Sequence, residues 1–253
     1  MSEAAATPAA NGGRRLETVG LVKAYKGRRV VNHVSINVRS GEIVGLLGQN
    51  GAGKTTTFNM TVGLVRPEAG QILLDGDDIT HLPMHIRARR GLGYLSQGES
   101  IFRRLTVEEN LVAILELQPI SADERRQRVE QLLTELNIKD RRHQMATTLS
   151  GGERRRAEIA RALATQPSFL LLDEPFTGVD PLHVGEIREI VHDLRARFQL
   201  GVLLTDHNPQ ATLRLCDRAY IMAEGEIMLE GTSDEIAHNE LAREKYLGKD
   251  FTL

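Results

Sequence analysis

A glycine-rich segment at residues 48–55 constrains this chain more than any other part of its sequence. It reads Gly-Gln-Asn-Gly-Ala-Gly-Lys-Thr and follows a mostly apolar run, residues 42–47, that is too short for a helix and indicates a buried strand. Between a strand and a helix, such glycines let successive backbone N–H groups point at phosphate oxygens, and Lys54 reaches the outer phosphates. The alternative is a glycine-rich turn that binds no ligand.

The phosphate loop defines one set of candidate ligands, and two adjacent acids define another. Asp173 and Glu174 follow the apolar residues 169–172, so they stand at the end of a predicted strand. An acid there can hold Mg²⁺ together with the Thr55 hydroxyl, and its neighbour can orient or deprotonate an attacking water. Considered alone, the two acids could equally form a solvated turn before Pro175. The candidate phosphate ligands are Gly48, Asn50, Gly51, Ala52, Gly53, Lys54, Thr55 and Thr56.

The order of predicted elements indicates an α/β fold with a helical insert. Apolar runs at residues 169–173 and 201–206 have the form of parallel strands that are covered on both faces. Residues 105–164 differ, because Thr106 and Ser121 each begin a capping box and an amphipathic helix. We expect residues 1–13 to be a flexible leader and residues 14–253 to form one domain, with the helical insert as its subdomain.

Charge and cysteine content exclude several classes of protein. The 32 Lys and Arg residues are balanced by 34 Asp and Glu residues, so no overall basic excess favours nucleic acid binding. The arginine runs, including Arg87 and residues 154–156, are predicted to be solvated helix faces. The single cysteine, Cys216, excludes a disulfide scaffold and is predicted to be a small buried apolar residue. No apolar run is long enough to span a bilayer, so any membrane role requires a partner.

A third motif, residues 149–153, reads Leu-Ser-Gly-Gly-Glu. Ser150 and Glu153 fit a capping box, which does not explain the Gly151-Gly152 pair between them. With this motif the chain resembles the nucleotide-binding subunits of ABC transporters, and the resemblance runs from about residue 16 to the C-terminus. The shared features, in the family's order, are Tyr25, the phosphate loop, Gln97, the Leu-Ser-Gly-Gly signature, Asp173-Glu174, the Gly-Val-Asp segment that ends at Asp180, and His207.

The resemblance implies a P-loop NTPase core of the RecA-like type, with an antiparallel β subdomain and an α-helical subdomain. It implies ATP and Mg²⁺ as ligands, and a homodimer in which each ATP lies between one chain's phosphate loop and the signature of the other. Ser150, Gly151 and Gly152 would therefore contact the partner's nucleotide, and Asp180 would reach the partner's phosphate loop. As an alternative or additional role, Asp180 caps the helix that follows it.

The remaining roles also come from the resemblance. Tyr25 would stack on adenine, Gln97 would touch Mg²⁺ and the attacking water, and His207 would stabilise the γ-phosphate. The alternatives are an ordinary core or rim tyrosine at position 25 and a surface amide at position 97. The family usually has proline at Gln49, whose side chain we expect not to matter, and an acidic contact next to Gln97 that Gly98 puts in doubt unless Glu99 replaces it.

Within the family, five segments closely resemble the ATPase of the lipopolysaccharide exporter of Gram-negative bacteria: residues 21–31, 100–105, 151–156, 206–208 and 246–251. This implies two transmembrane partner subunits, contacted near Phe102 and Arg103, and a peripheral position at the cytoplasmic face of the inner membrane. The alternatives are the ATPase of a branched-chain amino-acid importer and a soluble ABC ATPase that acts on nucleic acid or ribosomes. We expect no nucleic acid partner, and the alternative for Phe102 is a core residue.

Overall fold

The computed structural model describes residues 13–98 and 100–253, with the backbone alone at Pro181 and Leu182. Apart from Gly13, the predicted leader lies outside the described residues, and so does Glu99. The strands are β1 Arg15–Tyr25, β2 Arg28–Arg39, β3 Ile43–Gly48, β4 Ala69–Leu74, β5 Asp77–Asp78, β6 Leu92–Leu95, β7 Phe169–Asp173, β8 Gly201–Thr205, β9 Arg218–Ala223 and β10 Glu226–Thr232. The helices are α1 Lys54–Val62, α2 Met84–Arg89, α3 Val107–Leu115, α4 Ala122–Glu135, α5 Gly151–Leu163, α6 Pro181–Phe198, α7 Pro209–Leu213, α8 Ser233–His238 and α9 Glu240–Ala242.

The larger sheet positions the candidate site. Its strand order is β10-β9-β3-β8-β7-β6, and every neighbouring pair is parallel except β10 with β9. All residues of β3, β7 and β8 are buried, as their apolar runs predict. Because these three strands are parallel neighbours, their carboxyl ends meet at one edge of the sheet. That edge carries the phosphate loop, Asp173 and the segment that leads to His207.

A smaller antiparallel sheet, ordered β2-β1-β4-β5, covers one face of the core. Val34 and Ile72 of this sheet share a buried apolar cluster with Phe58 of α1 and Leu46 of β3. The phosphate-loop helix is therefore packed between the two sheets. This arrangement confirms the expected fold class, a P-loop core with an antiparallel β subdomain.

The helical insert covers the opposite face of the large sheet. Thr106, Ser121 and Ser150 each form the capping box that begins α3, α4 and α5, as the sequence predicts for all three motifs. Leu111, Leu132 and Ile159 of these helices join Leu170 and Leu204 of the sheet in one buried cluster. The boundaries of the subdomain, residues 105–164, stay a prediction.

Two further findings concern residues outside the site. Cys216 is buried, and burial raises the pKa of its thiol well above the usual range, in agreement with its predicted role as an apolar filler. None of the helices in the described residues combines the length and the apolar content that a transmembrane span requires.

Candidate functional site

The phosphate loop takes a backbone path that only glycine allows at two positions. Gly48 has φ +149°, and a Cβ atom there would lie 2.1 Å from the carbonyl oxygen of Met222. Gly53 has φ +104°, and its Cβ would lie 2.3 Å from the carbonyl oxygen of Val30. Both contacts are with backbone atoms that cannot move aside. The tight path and the helix that begins at Lys54 fit the predicted cradle for phosphate groups.

Lys54 places its charge inside this loop. Its Nζ donates hydrogen bonds to the carbonyl oxygens of Gly48, at 2.7 Å, and Gln49, at 3.0 Å. Burial lowers the pKa of Lys54, against the negative charges of Glu174 and Asp173, which raise it. Thr55 lies exposed and Thr56 half-buried in the first turn of α1. The ammonium group is thus held by carbonyl groups of the loop itself.

Asp173 ends β7 as a buried carboxylate without a complete set of partners. The residue is only 2% exposed, and its Oδ1 atom has no hydrogen-bond partner among the described residues. Burial raises its pKa to about 6, and the charge of Glu174 adds to that shift, whereas Lys54 opposes it. A buried oxygen with no donor is costly unless something pairs with it. A hard cation such as Mg²⁺ fits this position, because it binds carboxylate oxygens.

Glu174 is the point at which several predicted residues meet. Its Oε2 atom accepts a hydrogen bond from Gln97 Nε2 at 2.7 Å and lies 3.6 Å from His207 Nδ1. A third contact was not predicted: Thr177 Oγ1 donates to the same Oε2 atom at 2.9 Å. The backbone of Glu174 has φ +48° and donates to the carbonyl oxygen of Thr205 at 2.8 Å. The structure therefore brings Gln97, Glu174 and His207 together.

Asp206 holds the segment that carries the histidine. It is fully buried and accepts hydrogen bonds from the backbone N–H groups of Phe176, at 3.1 Å, and Asn208, at 3.0 Å. Burial raises its pKa. Asp206 therefore joins the loop after β8 to the turn that follows Glu174. In the sequence, the only sign that Asp206 joins these segments is its position at the end of the apolar run 201–205.

The prediction that the arginine runs are solvated helix faces is wrong for Arg87 and Arg155. Arg87 is 2% exposed, and its guanidinium donates to backbone carbonyl oxygens, including those of Met60 and Thr61 near the end of α1. The Thr61 carbonyl lies in the last turn of α1, where a helix leaves carbonyl groups without an intrahelical donor, whereas the Met60 carbonyl also accepts from the N–H of Gly63 at 3.1 Å. Nothing in the local pattern around Arg87 signals this long-range role.

Arg155 forms a buried cluster, which we call the arginine cluster, with Glu158, Ser96, Glu174 and Pro175. It pairs with Glu158 Oε2 at 3.0 Å and donates to the carbonyl oxygens of Pro175 at 3.0 Å, Glu174 at 3.2 Å and Ser96 at 3.4 Å. The three-residue spacing of Arg155 and Glu158 on the buried face of α5 was the one available signal. The cluster ties the signature helix to the backbone on both sides of the site.

The signature residues lie at the start of α5. The hydroxyl of Ser150 accepts from the N–H of Glu153 at 3.3 Å, and the Glu153 carboxylate accepts from the N–H of Ser150 at 2.9 Å, which lowers the pKa of Glu153 to about 2. A Cβ atom at Gly151 would lie 2.8 Å from the carbonyl oxygen of Gly178. Close approach to the segment before Asp180 thus explains one glycine of the pair within a single chain. Gly152 lies next to it and is half-buried.

Tyr25 and Phe102 are surface residues. Tyr25 ends β1, is 46% exposed, and has Lys23 Nζ 5.5 Å from its ring centroid. Phe102 is 45% exposed, and the guanidinium of Arg161 lies 4.7 Å from its ring centroid. The alternatives that make Tyr25 or Phe102 a core residue are therefore wrong, whereas a rim position for Tyr25 fits. Arg103 follows Phe102 and is also exposed.

The two departures from the family pattern have different structural settings. Gln49 Nε2 donates to the carbonyl oxygen of Lys245 at 2.7 Å, so this side chain links the phosphate loop to the C-terminal part of the chain. Gly98 is exposed, and a Cβ atom there would meet no atom of the residues that the structure describes within 4 Å. Asp180 directly precedes α6, and its carbonyl oxygen accepts from the N–H of His183 at 2.8 Å.

Comparison with known proteins gives three consistent results. A family model described as "ABC transporter" matches residues 31–177. The lipopolysaccharide export system ATP-binding protein LptB of Escherichia coli K12 is 56% identical over 94% of this chain and 99% of its own length, and the protein of the same name from Haemophilus influenzae is 55% identical over the same shares.

Solved structures agree with the fold. The ADP conformation of MJ1267, an ATP-binding cassette of an ABC transporter, has a TM-score of 0.83 and 28% identity, covering 93% of this chain and 99% of that one. A dimeric post-hydrolysis structure of the cassette MJ0796, bound to ADP and Pi, has a TM-score of 0.76 and 25% identity, covering 86% of this chain and 98% of that one.

Proposed function

This chain belongs to the ABC transporter family of ATP-binding proteins, and within that family we propose that it is the ATP-hydrolysing subunit of an exporter that extracts lipopolysaccharide from the bacterial inner membrane. One observation carries the choice of substrate: identity of 55% and 56% to lipopolysaccharide export proteins extends over 94% of the chain. This identity favours the exporter over an amino-acid importer or a soluble ATPase.

ATP binds with its phosphates in the loop at residues 48–56 and its adenine on Tyr25. The backbone N–H groups of the loop and Lys54 contact the phosphate oxygens, because the glycine backbone and the helix N-terminus favour anions there. Stacking on an exposed tyrosine is sequence-tolerant and needs no hydrogen bond to the base. The exposure of Tyr25 supports this role.

Thr55, Gln97 and Asp173 would hold Mg²⁺, which would neutralise negative charge that develops during phosphoryl transfer. The unpaired buried oxygen of Asp173 supports this assignment. Gln97 also donates to Glu174, so one side chain can respond to both the metal and the base.

Glu174 orients the attacking water and accepts its proton, and His207 donates to the γ-phosphate as negative charge develops. The contact of Glu174 Oε2 with both Gln97 and His207 supports this division of roles. The arginine cluster holds the backbone of Glu174 while its side chain acts. General base catalysis of this type contributes roughly 10²- to 10⁴-fold to the rate.

The active form is a homodimer in which Ser150, Gly151 and Gly152 of one chain contact the nucleotide of its partner, and Asp180 reaches the partner's phosphate loop. The dimeric state of the MJ0796 cassette structure, at 25% identity, supports a dimer. The start of α5 adds to it, since a helix N-terminus with two glycines presents free N–H groups to an anion.

Two transmembrane subunits bind the protein near Phe102 and Arg103 and hold it at the cytoplasmic face of the inner membrane. An exposed aromatic ring beside guanidinium groups is the residue combination that dominates interface energies. The segment from Gln97 to Phe102 also joins the site to this surface, so a change at the nucleotide can reach the membrane partner.

Complementation tests the proposed substrate. In a Gram-negative strain depleted of its own lipopolysaccharide export ATPase, this chain should restore growth and lipopolysaccharide at the cell surface, and Glu174→Gln should not. Co-purification in detergent should recover the exporter's transmembrane subunits. Failure to complement, together with recovery of amino-acid importer subunits, would refute the exporter assignment and leave the ATPase assignment in place.

A further inference from the structure

Thr177 contacts Glu174, the proposed catalytic base. Its hydroxyl donates to Glu174 Oε2 at 2.9 Å, and its backbone N–H donates to the carbonyl oxygen of Glu174 at 3.2 Å. Gln97 donates to the same Oε2 atom at 2.7 Å. Among the described residues, the hydrogen bonds to this carboxylate thus converge on one oxygen.

The two oxygens of the Glu174 carboxylate therefore have different roles: Oε2 is held by protein donors, and Oε1 is available to water. An ionised carboxylate accepts hydrogen bonds on both oxygens, and donors fixed on one of them set the orientation of the group. With Oε2 held by Gln97 and Thr177, the Oε1 atom is left to accept a hydrogen bond from water. A base must lie within hydrogen-bond reach of the proton that it abstracts, so this orientation bears directly on the rate.

The two donors belong to different parts of the molecule. Gln97 lies in the segment that leads to Phe102, whereas Thr177 lies three residues after Glu174 in the turn that leads to Gly178. The backbone of that turn is fixed from two sides: Arg155 donates to the carbonyl oxygen of Pro175, and Asp206 accepts from the N–H of Phe176. The Thr177 contact is therefore local and does not depend on the position of the Gln97 segment.

We propose that Thr177 is a positioning residue for ATP hydrolysis, whose hydroxyl holds Oε2 of Glu174 and so turns Oε1 toward the attacking water. The inference rests on the proposed role of Glu174 as the base. It assigns to Thr177 the part of the orientation that does not depend on the hydrogen bond from Gln97.

The test compares Thr177→Val, which keeps the shape of the side chain and removes the hydroxyl, with Thr177→Ser, which keeps the hydroxyl. Thr134→Val is the matched control, because the Thr134 hydroxyl makes a similarly local bond to the carbonyl oxygen of Glu130 in α4. We expect kcat for ATP to fall about fivefold to tenfold in Thr177→Val, the net size of one ordinary hydrogen bond, because Thr177 is exposed to solvent. KM and ATP affinity should change less than about twofold, Thr177→Ser should recover most of kcat, and Thr134→Val should behave as wild type.

A second comparison tests whether the Thr177 hydroxyl acts through Glu174. In a Glu174→Gln background, Thr177→Val should cause no further loss of the residual single-turnover rate, because the base that it orients is gone. Wild-type kcat in Thr177→Val, a loss that serine does not recover, or an equal loss in the Glu174→Gln background would each overturn the inference and leave the role of Glu174 intact. Wild-type turnover by Glu174→Gln alone would instead refute the proposed base and the inference with it.

Discussion

The phosphate loop and the arginine cluster both hold the site together, but their contacts join residues at very different separations along the sequence. In the loop, Lys54 bonds to carbonyl groups six and five residues earlier in the chain. In the cluster, Arg155 reaches Pro175, 20 residues away, and Ser96, 59 residues away. The loop is therefore a local structure, to which we assign phosphate binding, whereas the cluster sets where other segments lie relative to it. We expect damage to the first to affect binding and chemistry, and damage to the second to affect stability and coupling.

The largest effect should come from Glu174→Gln, which should abolish most ATP hydrolysis and leave ATP binding in place. Glu174→Gln keeps the shape of the side chain and removes the base, so hydrolysis should fall by roughly 10²- to 10⁴-fold while ATP binding survives. The variant should accumulate as an ATP-bound dimer, measured by sedimentation with ATP and Mg²⁺.

Lys54→Ala is the contrasting variant for that measurement. It should lose ATP affinity itself, since it removes the charge that faces the outer phosphates. Unaltered ATP binding in Lys54→Ala would contradict the loop assignment, and near-wild-type turnover in Glu174→Gln would contradict the base.

Mixing two inactive chains tests whether the signature completes the partner's site. Ser150→Arg should block the signature, and Lys54→Ala the phosphate loop, so each variant alone should hydrolyse little ATP. A heterodimer of the two contains one site in which the intact loop of the first chain meets the intact signature of the second. Activity should therefore reappear on mixing if one intact site suffices for turnover. ATP-bound Glu174→Gln that remains monomeric in sedimentation would argue for a monomeric mechanism.

Removing one partner of the arginine cluster should destabilise the fold. Arg155→Met removes the ion-pair partner of a buried carboxylate, since the two side chains are only 6% and 4% exposed, and leaves Glu158 with the N–H of Ser100 and the charge of Arg161. We expect a loss of about 3–5 kcal/mol in the free energy of unfolding, measured in urea. The double variant Arg155→Met with Glu158→Met should lose less than the single variant.

Arg156→Met is the control for that experiment. Arg156 is adjacent in sequence, but its partner Glu186 is 45% exposed, so the pair should contribute at most about 1 kcal/mol. Equal losses for Arg155→Met and Arg156→Met would show that burial of the cluster does not set its contribution.

The same difference in sequence separation explains which features the sequence could predict and which it could not. The strand, loop and helix around Lys54, the capping box at Ser150 and the acid pair at Asp173 each depend on residues within a few positions of one another, and their local structure is as predicted. Arg155 looks like one of three solvated arginines, because its partners come together only when α5 packs against the sheet. Thr177 was missed for a different reason: a threonine in a turn carries no distinctive signal without the position of the Glu174 side chain.

The variant Phe102→Ala distinguishes an interface role for Phe102 from a core role. Because its ring is 45% exposed and contacts Arg161, Phe102→Ala should cost about 1 kcal/mol of stability, against roughly 3–5 kcal/mol for a buried phenylalanine. The purified variant should hydrolyse ATP at the wild-type rate and fail to assemble with the transmembrane subunits in detergent. Normal assembly by Phe102→Ala would place the membrane contact elsewhere on the surface.

A small effect should come from Gln49, a loop side chain whose hydrogen-bond partner lies far away in the sequence. Its hydrogen bond to the carbonyl oxygen of Lys245 joins the phosphate loop to the C-terminal part of the chain, so it shares the long range of the arginine cluster although it lies in the loop. Gln49→Ala should cost about 0.5–1.5 kcal/mol in urea unfolding, the net value of one hydrogen bond. KM for ATP should stay unchanged, because the backbone of the loop binds the phosphates. A clear rise in KM without loss of stability would mean that the contact with Lys245 shapes the nucleotide site. A contact between residues far apart in the sequence would then affect ATP binding and not stability, against the contrast between the phosphate loop and the arginine cluster.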